Sequence, residues 1–330
     1  MKILRIFTAV ILCACIAFTA INGKAAITDS RFQEKTEYKG ILTIWHIDTF
    51  EGGIGSRKQF LLKAARAFEK QRDGVLVMVV NHTFTSYNEA IKTGELPDMV
   101  SFGLGVETKG LSELNIENNK SNGGSLVEKQ YALPWCRGGY VLIANPKLSS
   151  DIPDVLESLI VSQSEYTQPL LAINEQGISA KKIEVLKPMD AYVKFVSGKC
   201  PFMLGTQRDV IRLENRGVEV VTRPLTKYND LFQYIGITSQ NQLKRYYSEG
   251  FIKALLSDSV QGKLCDIGMF SVFSKAEYSN IHMNEMATYS DFQTLSIFTL
   301  SRKLKEVQEI SQRIALGEKE EQNKIKNMLV

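Results

Sequence analysis

The sequence is short of the residues that most often carry chemistry. Of 330 residues, five are cysteine, three are histidine and two are tryptophan. Beyond residue 25 only Cys136, Cys200 and Cys265 remain, an odd number with no close pair. One bridge at most could form, which excludes a disulfide framework, and nothing near these thiols in sequence supplies a base for a nucleophile. His46, His82 and His282 are scattered and share no repeated spacing with cysteine, so no metal site is expected.

An excess of one charge is also missing. The formal net charge is +4, but Lys2, Arg5 and Lys24 supply three of these charges before residue 26 and leave +1 for the body. A nucleic-acid binder would need a basic surface to release phosphate counterions, so that class is set aside. With 44% hydrophobic and 23% charged residues, collagenous, disordered and polytopic membrane chains are excluded. The length suits two domains of roughly 150 residues each.

Motifs of catalysis and nucleotide binding are absent as well. Gly52, Gly53 and Gly55 follow a strand-like run and open a helical pattern, the right place for a phosphate loop. A dinucleotide fingerprint starting at Gly53 would need glycine at position 58, which is Lys58, and Gly55-Ser56-Arg57-Lys58 is no Walker loop. There is no Gly-x-Ser-x-Gly elbow and no His-Glu-x-x-His. Glu51, Asp98 and Asp209 could act as paired carboxylates only if the fold brought them together. No enzyme, and no cofactor, is expected.

What is present begins with a leader. Lys2 and Arg5 precede an uncharged 16-residue run, Ile6 to Ile21, and Gly23 and Ala25 are small enough for a signal-peptidase site. Export is expected. Cleaved secretion, lipidation at Cys15 in the lipobox-like Leu12-Cys13-Ala14-Cys15, and an uncleaved anchor all remain open, though 16 residues fall short of the roughly 20 needed to span a bilayer.

The body alternates strand and helix. Ile41 to Ile47 is β-rich, and Phe60, Leu61, Ala64, Ala67 and Phe68 recur at helical spacing. Val75 to Val80 is almost wholly apolar, as for a strand covered on both faces. A short helix over Tyr87–Lys92 and a strand over Pro97–Phe102 complete a βαβαβ pattern, which predicts an α/β fold with a parallel sheet. After a polar loop at 115–125 come strand-like Tyr131–Pro134 and Tyr140–Ala144, a central αβ region, a helix over Gln240–Leu256 and a helical tail through Leu304, Val307, Ile310 and Ile314. Several expected strands end in aromatic or amphipathic groups beside flexible turns: Trp45-His46-Ile47-Asp48, Phe102-Gly103 and Trp135-Cys136-Arg137-Gly138-Gly139. Ligands of open α/β sheets bind at such strand ends, where aromatic faces stack on rings and polar groups fix hydroxyls.

These segments, in this order, resemble the extracellular solute-binding proteins of bacterial importers, in the carbohydrate-type group that includes maltose-binding proteins. Gly40–Trp45 is similar to that family's first strand, Ala65–Lys70 to its first helix, and Gly94–Val100 to its Gly…Pro-Asp step. Tyr131–Pro134 through Gly139–Asn145 resembles its crossover. Gly198-Lys199 before Phe202–Gly205, and Leu256–Gln261 before Met269–Val272, continue the likeness. The resemblance implies a two-lobed periplasmic-binding-protein fold of type II, with discontinuous domains, a mostly parallel sheet in each lobe, and ligand in the cleft between them. By position, residues 38–136 with 237–268 would form the first lobe and 137–236 with 269–330 the second. Crossings would lie near 136–140, 234–236 and 268–270. Carried over in the same way, the cleft residues would be His46, Asp48, Phe102, Trp135, Arg137, Thr206, Gln207, Arg208, Tyr234 and Phe270.

The implied partners are a sugar or sugar-derived solute and the membrane subunits of an ABC-type importer, with a monomeric receptor outside the membrane. Two departures bear on the solute. Both tryptophans precede residue 136, so the family's C-terminal aromatic platforms have no tryptophan here, and Arg137 and Arg208 would favour an acidic or phosphorylated ligand. A membrane-tethered sensor or interaction protein on the same fold is the alternative. A hydrolase would require two carboxylates or a histidine-based dyad converging in the cleft.

Overall fold

The computed structural model describes residues 38–116, 123–273, 277–318 and 322–330. The expected leader, with Cys15, and most of the polar 115–125 loop lie outside the described residues. In chain order the main elements are β1 (Gly40–Ile47), α1 (Arg57–Glu69), β2 (Val75–His82), α2 (Phe84–Lys92), β3 (Met99–Phe102), β4 (Ala132–Arg137) and β5 (Tyr140–Ala144). Then follow β6 (Leu159–Ser162), α3 (Pro169–Gln176), β7 (Ile183–Leu186), α4 (Pro188–Val196), β8 (Phe202–Thr206), α5 (Gln207–Glu214), β9 (Val221–Pro224) and β10 (Phe232–Ile237). Helices α6 (Gln242–Leu255), α7 (Ile281–Thr288) and α8 (Ser301–Ala315) lie in the C-terminal part, with a 3-10 turn at Gly262–Ile267 between α6 and α7.

Two five-stranded sheets result, ordered β2-β1-β3-β10-β4 and β7-β6-β8-β5-β9. Each is mixed rather than mostly parallel. β1 runs parallel to β2 and β3, whereas β10 is antiparallel to both β3 and β4. The second sheet repeats this division, with β6 parallel to β7 and β8, and β5 antiparallel to β8 and β9. The reason is the path of the chain. β10 comes back from the other sheet, so it enters at the end where β3 leaves and must run against it.

The first crossing is Gly138–Gly139, between β4 and β5. The chain returns through residues 225–231, and Tyr234–Gly236, expected at a crossing, lie inside β10. It crosses again near Gly268–Phe270. Backbone hydrogen bonds tie the three passages together: Arg137 and Phe270 exchange N–H donors at 2.9 and 2.8 Å, and the Gly138 N–H donates to the Leu231 carbonyl at 2.7 Å.

Local sequence explains the helices on either side. Ser56 caps α1 by accepting the Gln59 N–H, and Phe60, Leu61, Ala64, Ala65 and Phe68 bury one face of that helix. Asp209 accepts the Thr206 N–H at 2.9 Å across the first turn of α5. One core gathers Trp45, Ile47, Phe102, Phe232 and Tyr234, and another Val141, Ile143, Tyr192, Phe195, Met203 and Val210. The tail is divided between them. Phe292 and Ile297 join the first core, while α8 packs on α3 beside the second sheet.

Val75–Val80 is not covered on both faces. β2 is an edge strand, and Leu76 and Met78 are 57% and 47% exposed while Val75, Val77 and Val79 are buried. No described helix is long and apolar enough to cross a membrane.

Candidate functional site

The ends of β1, β3 and β4 and the start of β10 bring three side chains around one buried hydroxyl, that of Ser101. Ser101 Oγ receives the Trp135 Nε1–H at 3.0 Å and the Gln233 Nε2–H at 3.2 Å, and lies 3.0 Å from His46 Nδ1. A hydroxyl has two lone pairs and one proton. With both lone pairs taken, the Ser101 proton points at His46 Nδ1, which leaves His46 Nε2–H to donate to Asp48 Oδ1 at 3.1 Å. Arg57 Nε donates to the same oxygen at 2.7 Å. Partial burial raises the Asp48 pKa, but the His46 hydrogen bond and the Arg57 guanidinium outweigh it and hold the carboxyl at about 2.

Ser101, His46 and Asp48 are thus connected as in a hydrolase relay. They cannot act as one in this arrangement: Ser101 and His46 are fully buried, and the hydroxyl is saturated beneath the Trp135 indole. Trp135, itself buried, stacks on Phe60 at 5.7 Å. Asp98 and Asp209 are likewise engaged in structural contacts. Asp98 is committed to the Thr43 N–H and Lys244, and Asp209 caps α5. Among the described residues no cluster of histidine, cysteine, aspartate and glutamate could hold a metal ion.

Arg137 lies against Phe270, but its guanidinium faces inward. It donates to the carbonyls of Met286, Ala287 and Tyr289 at the C-terminal end of α7, where a cation is favoured by the helix dipole. The rings of Phe270 and Phe292 lie 4.8 and 5.1 Å from the guanidinium carbon. Burial lowers its pKa to about 10. Phe102 and Tyr234 are buried side by side on β3 and β10, with ring centroids 6.0 Å apart.

Thr206, Gln207 and Arg208 meet the crossings at the start of α5. Gln207 Oε1 accepts the Gly139 N–H at 2.9 Å, and its Nε2 reaches the Gly268 carbonyl at 3.4 Å. Beside them Asp230 is buried with Tyr140, Tyr228 and the Gln168 N–H as donors at 2.6, 3.1 and 2.7 Å. Among the described residues no cation pairs with it, and burial pushes its pKa up to about 6 despite those bonds.

Of the ten predicted residues, only Asp48 and Arg208 keep substantial side-chain exposure, 48% and 35%. Glu51 and Arg212 are not among the residues expected in the cleft. Glu51, on the turn after β1, places Oε2 3.5 Å from Arg208 Nε and 3.6 Å from Arg212 Nη2. Glu51 follows a strand of the first sheet, and Arg208 and Arg212 lie on the helix that follows β8 of the second. Their spacing, with Arg208 and Arg212 one helical turn apart, was the only signal in the sequence that could have shown the pair.

The turn after β1 lies beside α5, with Glu51 against Arg208 and Arg212, and lines two voids. On the side of Phe50, Glu51, Ser162, Thr167 and Arg208 the void is about 10 Å³, room for a single water. On the side of Ile54 a cavity of about 490 Å³ opens, within the range of small-molecule sites. Ile54, Cys265 and Asp266 line it on one side, and Ile211 and Glu214 of α5, with Asn280 and Met283 at the start of α7, complete the lining. Apolar side chains beside carboxylates and amides suit a hydroxylated, partly apolar ligand. Glu214 is engaged by Asn280 and His282, whereas Asp266 is solvent-exposed.

No family model and no curated protein sequence matches the chain. Solved structures do match it. A chitin oligosaccharide binding protein aligns at a TM-score of 0.57 and 12% identity, covering 88% of this chain and 97% of that one. The GacH receptor of Streptomyces glaucescens, solved unliganded and with acarbose, aligns at 0.54 and 14%, covering 86% and 94%. The maltose/maltodextrin-binding domain MalE of Bdellovibrio bacteriovorus, bound to maltotriose, aligns at 0.53 and 13%, covering 84% and 94%. The chain therefore has the two-lobed fold of type II periplasmic binding proteins.

Proposed function

We propose that this protein is the solute-binding receptor of an ABC-type importer, working outside the cytoplasmic membrane without catalysis, on a carbohydrate or carbohydrate-derived solute. The observation that carries the reading is the cavity of about 490 Å³ to which both lobes contribute. A ligand held by both lobes favours the conformation in which they meet, and such differential binding is what a receptor uses to report occupancy. The two sheets and the passages between them support a first lobe built on β1–β4 and β10 and a second built on β5–β9. The likeness to sugar-binding structures supports the solute class, and the leader supports export.

Among the residues expected in the cleft, we assign ligand contact to Arg208 and a supporting role to the buried set. His46, Trp135 and Gln207 position the strand ends and crossings from behind, and Arg137 holds α7, whose first residues face the cavity. The sealed Ser101 hydroxyl supports a receptor over a hydrolase.

Cys265 offers a direct test. It is a partly buried free thiol on the cavity wall, while Cys136 and Cys200 are buried. Burial and the neighbouring Asp266 raise its pKa, so labelling with a maleimide is followed at mildly alkaline pH. A saccharide that occupies the cavity slows Cys265 labelling at least about tenfold, equivalent to roughly 1.4 kcal/mol of protection. Saccharides that bind without slowing it place the site elsewhere.

A further inference from the structure

The contact between Glu51 and the two arginines of α5 is poorly made for an ion pair. At 3.5 and 3.6 Å it is longer than the 2.7–2.9 Å typical of a charge-assisted hydrogen bond. Glu51 Oε2 and Arg212 Nη1 are both buried atoms, and neither has a hydrogen-bond partner. Leaving such groups unsatisfied costs free energy that a better-fitting anion would recover. Glu51 cannot simply move in. It is tethered to the tight turn in which Gly53 takes φ +69° and the Ile54 N–H donates to the Ile267 carbonyl at 2.9 Å.

We propose that Arg208 and Arg212 form an anion subsite of the interlobe cleft, that Glu51 occupies it as an internal stand-in, and that the solute is a sugar acid whose carboxylate displaces Glu51. This rests on the receptor reading given above. The geometry that disfavours Glu51 favours a free carboxylate, which can approach two guanidiniums spaced one helical turn apart and bond to both. Carboxylate is preferred over phosphate because a carboxylate is the group the site already holds. The hydroxyls of Ser162, Ser164 and Thr167 line the same void, which at about 10 Å³ admits a sugar ring only as Glu51 leaves and the lobes part. Asp209, with Oδ1 4.0 Å from Arg212 Nη1, is the other carboxylate present, and it is committed to the Thr206 N–H.

The test is calorimetric titration of the protein with glucuronate and its short oligomers, the matched neutral glucose series, and glucose 6-phosphate. The acid series binds about tenfold or more tighter than the neutral series. Glu51→Gln tightens acid binding several-fold and leaves neutral binding unchanged. Arg208→Gln removes the acid preference, and because Arg208 is a third exposed and its ion pair among the described residues is the long one to Glu51, its melting temperature stays close to that of the parent. Equal binding of acid and neutral sugars, weaker acid binding in Glu51→Gln, or a tenfold preference for the phosphate would each overturn the proposal. Binding of neutral sugars alone overturns it while leaving the receptor reading in place; binding by none of the probes removes both.

Discussion

Gln207 Oε1 accepts the backbone N–H of Gly139 at 2.9 Å, so the first residue of a second-lobe helix fastens the first crossing between the lobes. Its Nε2 reaches the Gly268 carbonyl of another crossing at 3.4 Å. Replacing Gln207 by alanine leaves the buried Gly139 N–H without a partner, at a cost of about 1–3 kcal/mol. Denaturant unfolding of Gln207→Ala should show that loss, with faster amide exchange at Gly139 marking a looser hinge. Unchanged exchange at Gly139 would mean that the crossing is held by its backbone bonds alone.

Arg137 supplies a second fastening. Its guanidinium caps three carbonyls of the α7 end and sits between two phenylalanine rings, fully buried. Arg137→Met keeps most of the volume but strands those carbonyls, and stability should fall by roughly 3 kcal/mol or more. Arg137→Lys should recover only part of this, because an ammonium cannot spread its donors as the planar fork does. Loss of affinity with stability intact would instead make Arg137 a ligand contact.

The buried Asp230 gives a pH signature. Its folded pKa of about 6 lies above its ordinary 3.8, so the folded state holds a proton that the unfolded state has released. Stability from this group is fully present below about pH 4 and is lost as pH rises to about 6, by about 3 kcal/mol for two units. Asp230→Asn should flatten that slope between pH 4 and 6. Asp48, held at about 2, works in the opposite sense: its contribution is present above about pH 4 and is lost as pH falls toward 2. Unfolding curves of the two asparagine variants, measured from pH 2 to 7, separate the windows.

Gly53 sits at φ +69°, and a Cβ there would come 2.0 Å from the Ile267 carbonyl oxygen. Gly53→Ala must therefore shift the turn that carries Glu51 and Ile54, at a cost of about 1–3 kcal/mol. Affinity for solute should change in this variant as well as stability, because the turn lines both parts of the interlobe space. A change in stability alone would detach the turn from the site.

Much of the fold could be read in the sequence because periodicity and capping are local. Phe60, Leu61, Ala64 and Phe68 mark α1, and Ile41 to Ile47 marks β1, without knowledge of anything distant. What failed was the part set by neighbours. The apolar run Val75–Val80 cannot reveal that β2 is an edge strand, since Leu76 and Met78 look the same in sequence whether or not a helix covers them. Tyr234 was expected beside a crossing, whereas pairing with β3 draws it into the sheet.

Of the candidate site, the sequence shows residue types more than roles. Aromatic and charged residues at strand ends beside glycines turn inward in the fold: Trp135 to Ser101, and Arg137 to α7. Glu51 meets Arg208 and Arg212 only because the lobes face one another, and no local pattern encodes that contact.

The most direct test of the receptor account is the melting temperature of the purified protein across neutral saccharides, sugar acids, sugar phosphates and amino acids, repeated on Asp266→Ala and Arg208→Gln. A solute at a hundred times its Kd stabilises the folded state by about 2.7 kcal/mol, which raises the midpoint by several degrees. The account predicts such a rise for a carbohydrate class, diminished in at least one of the two variants. A flat response to every class, or a rise for amino acids alone, would contradict it.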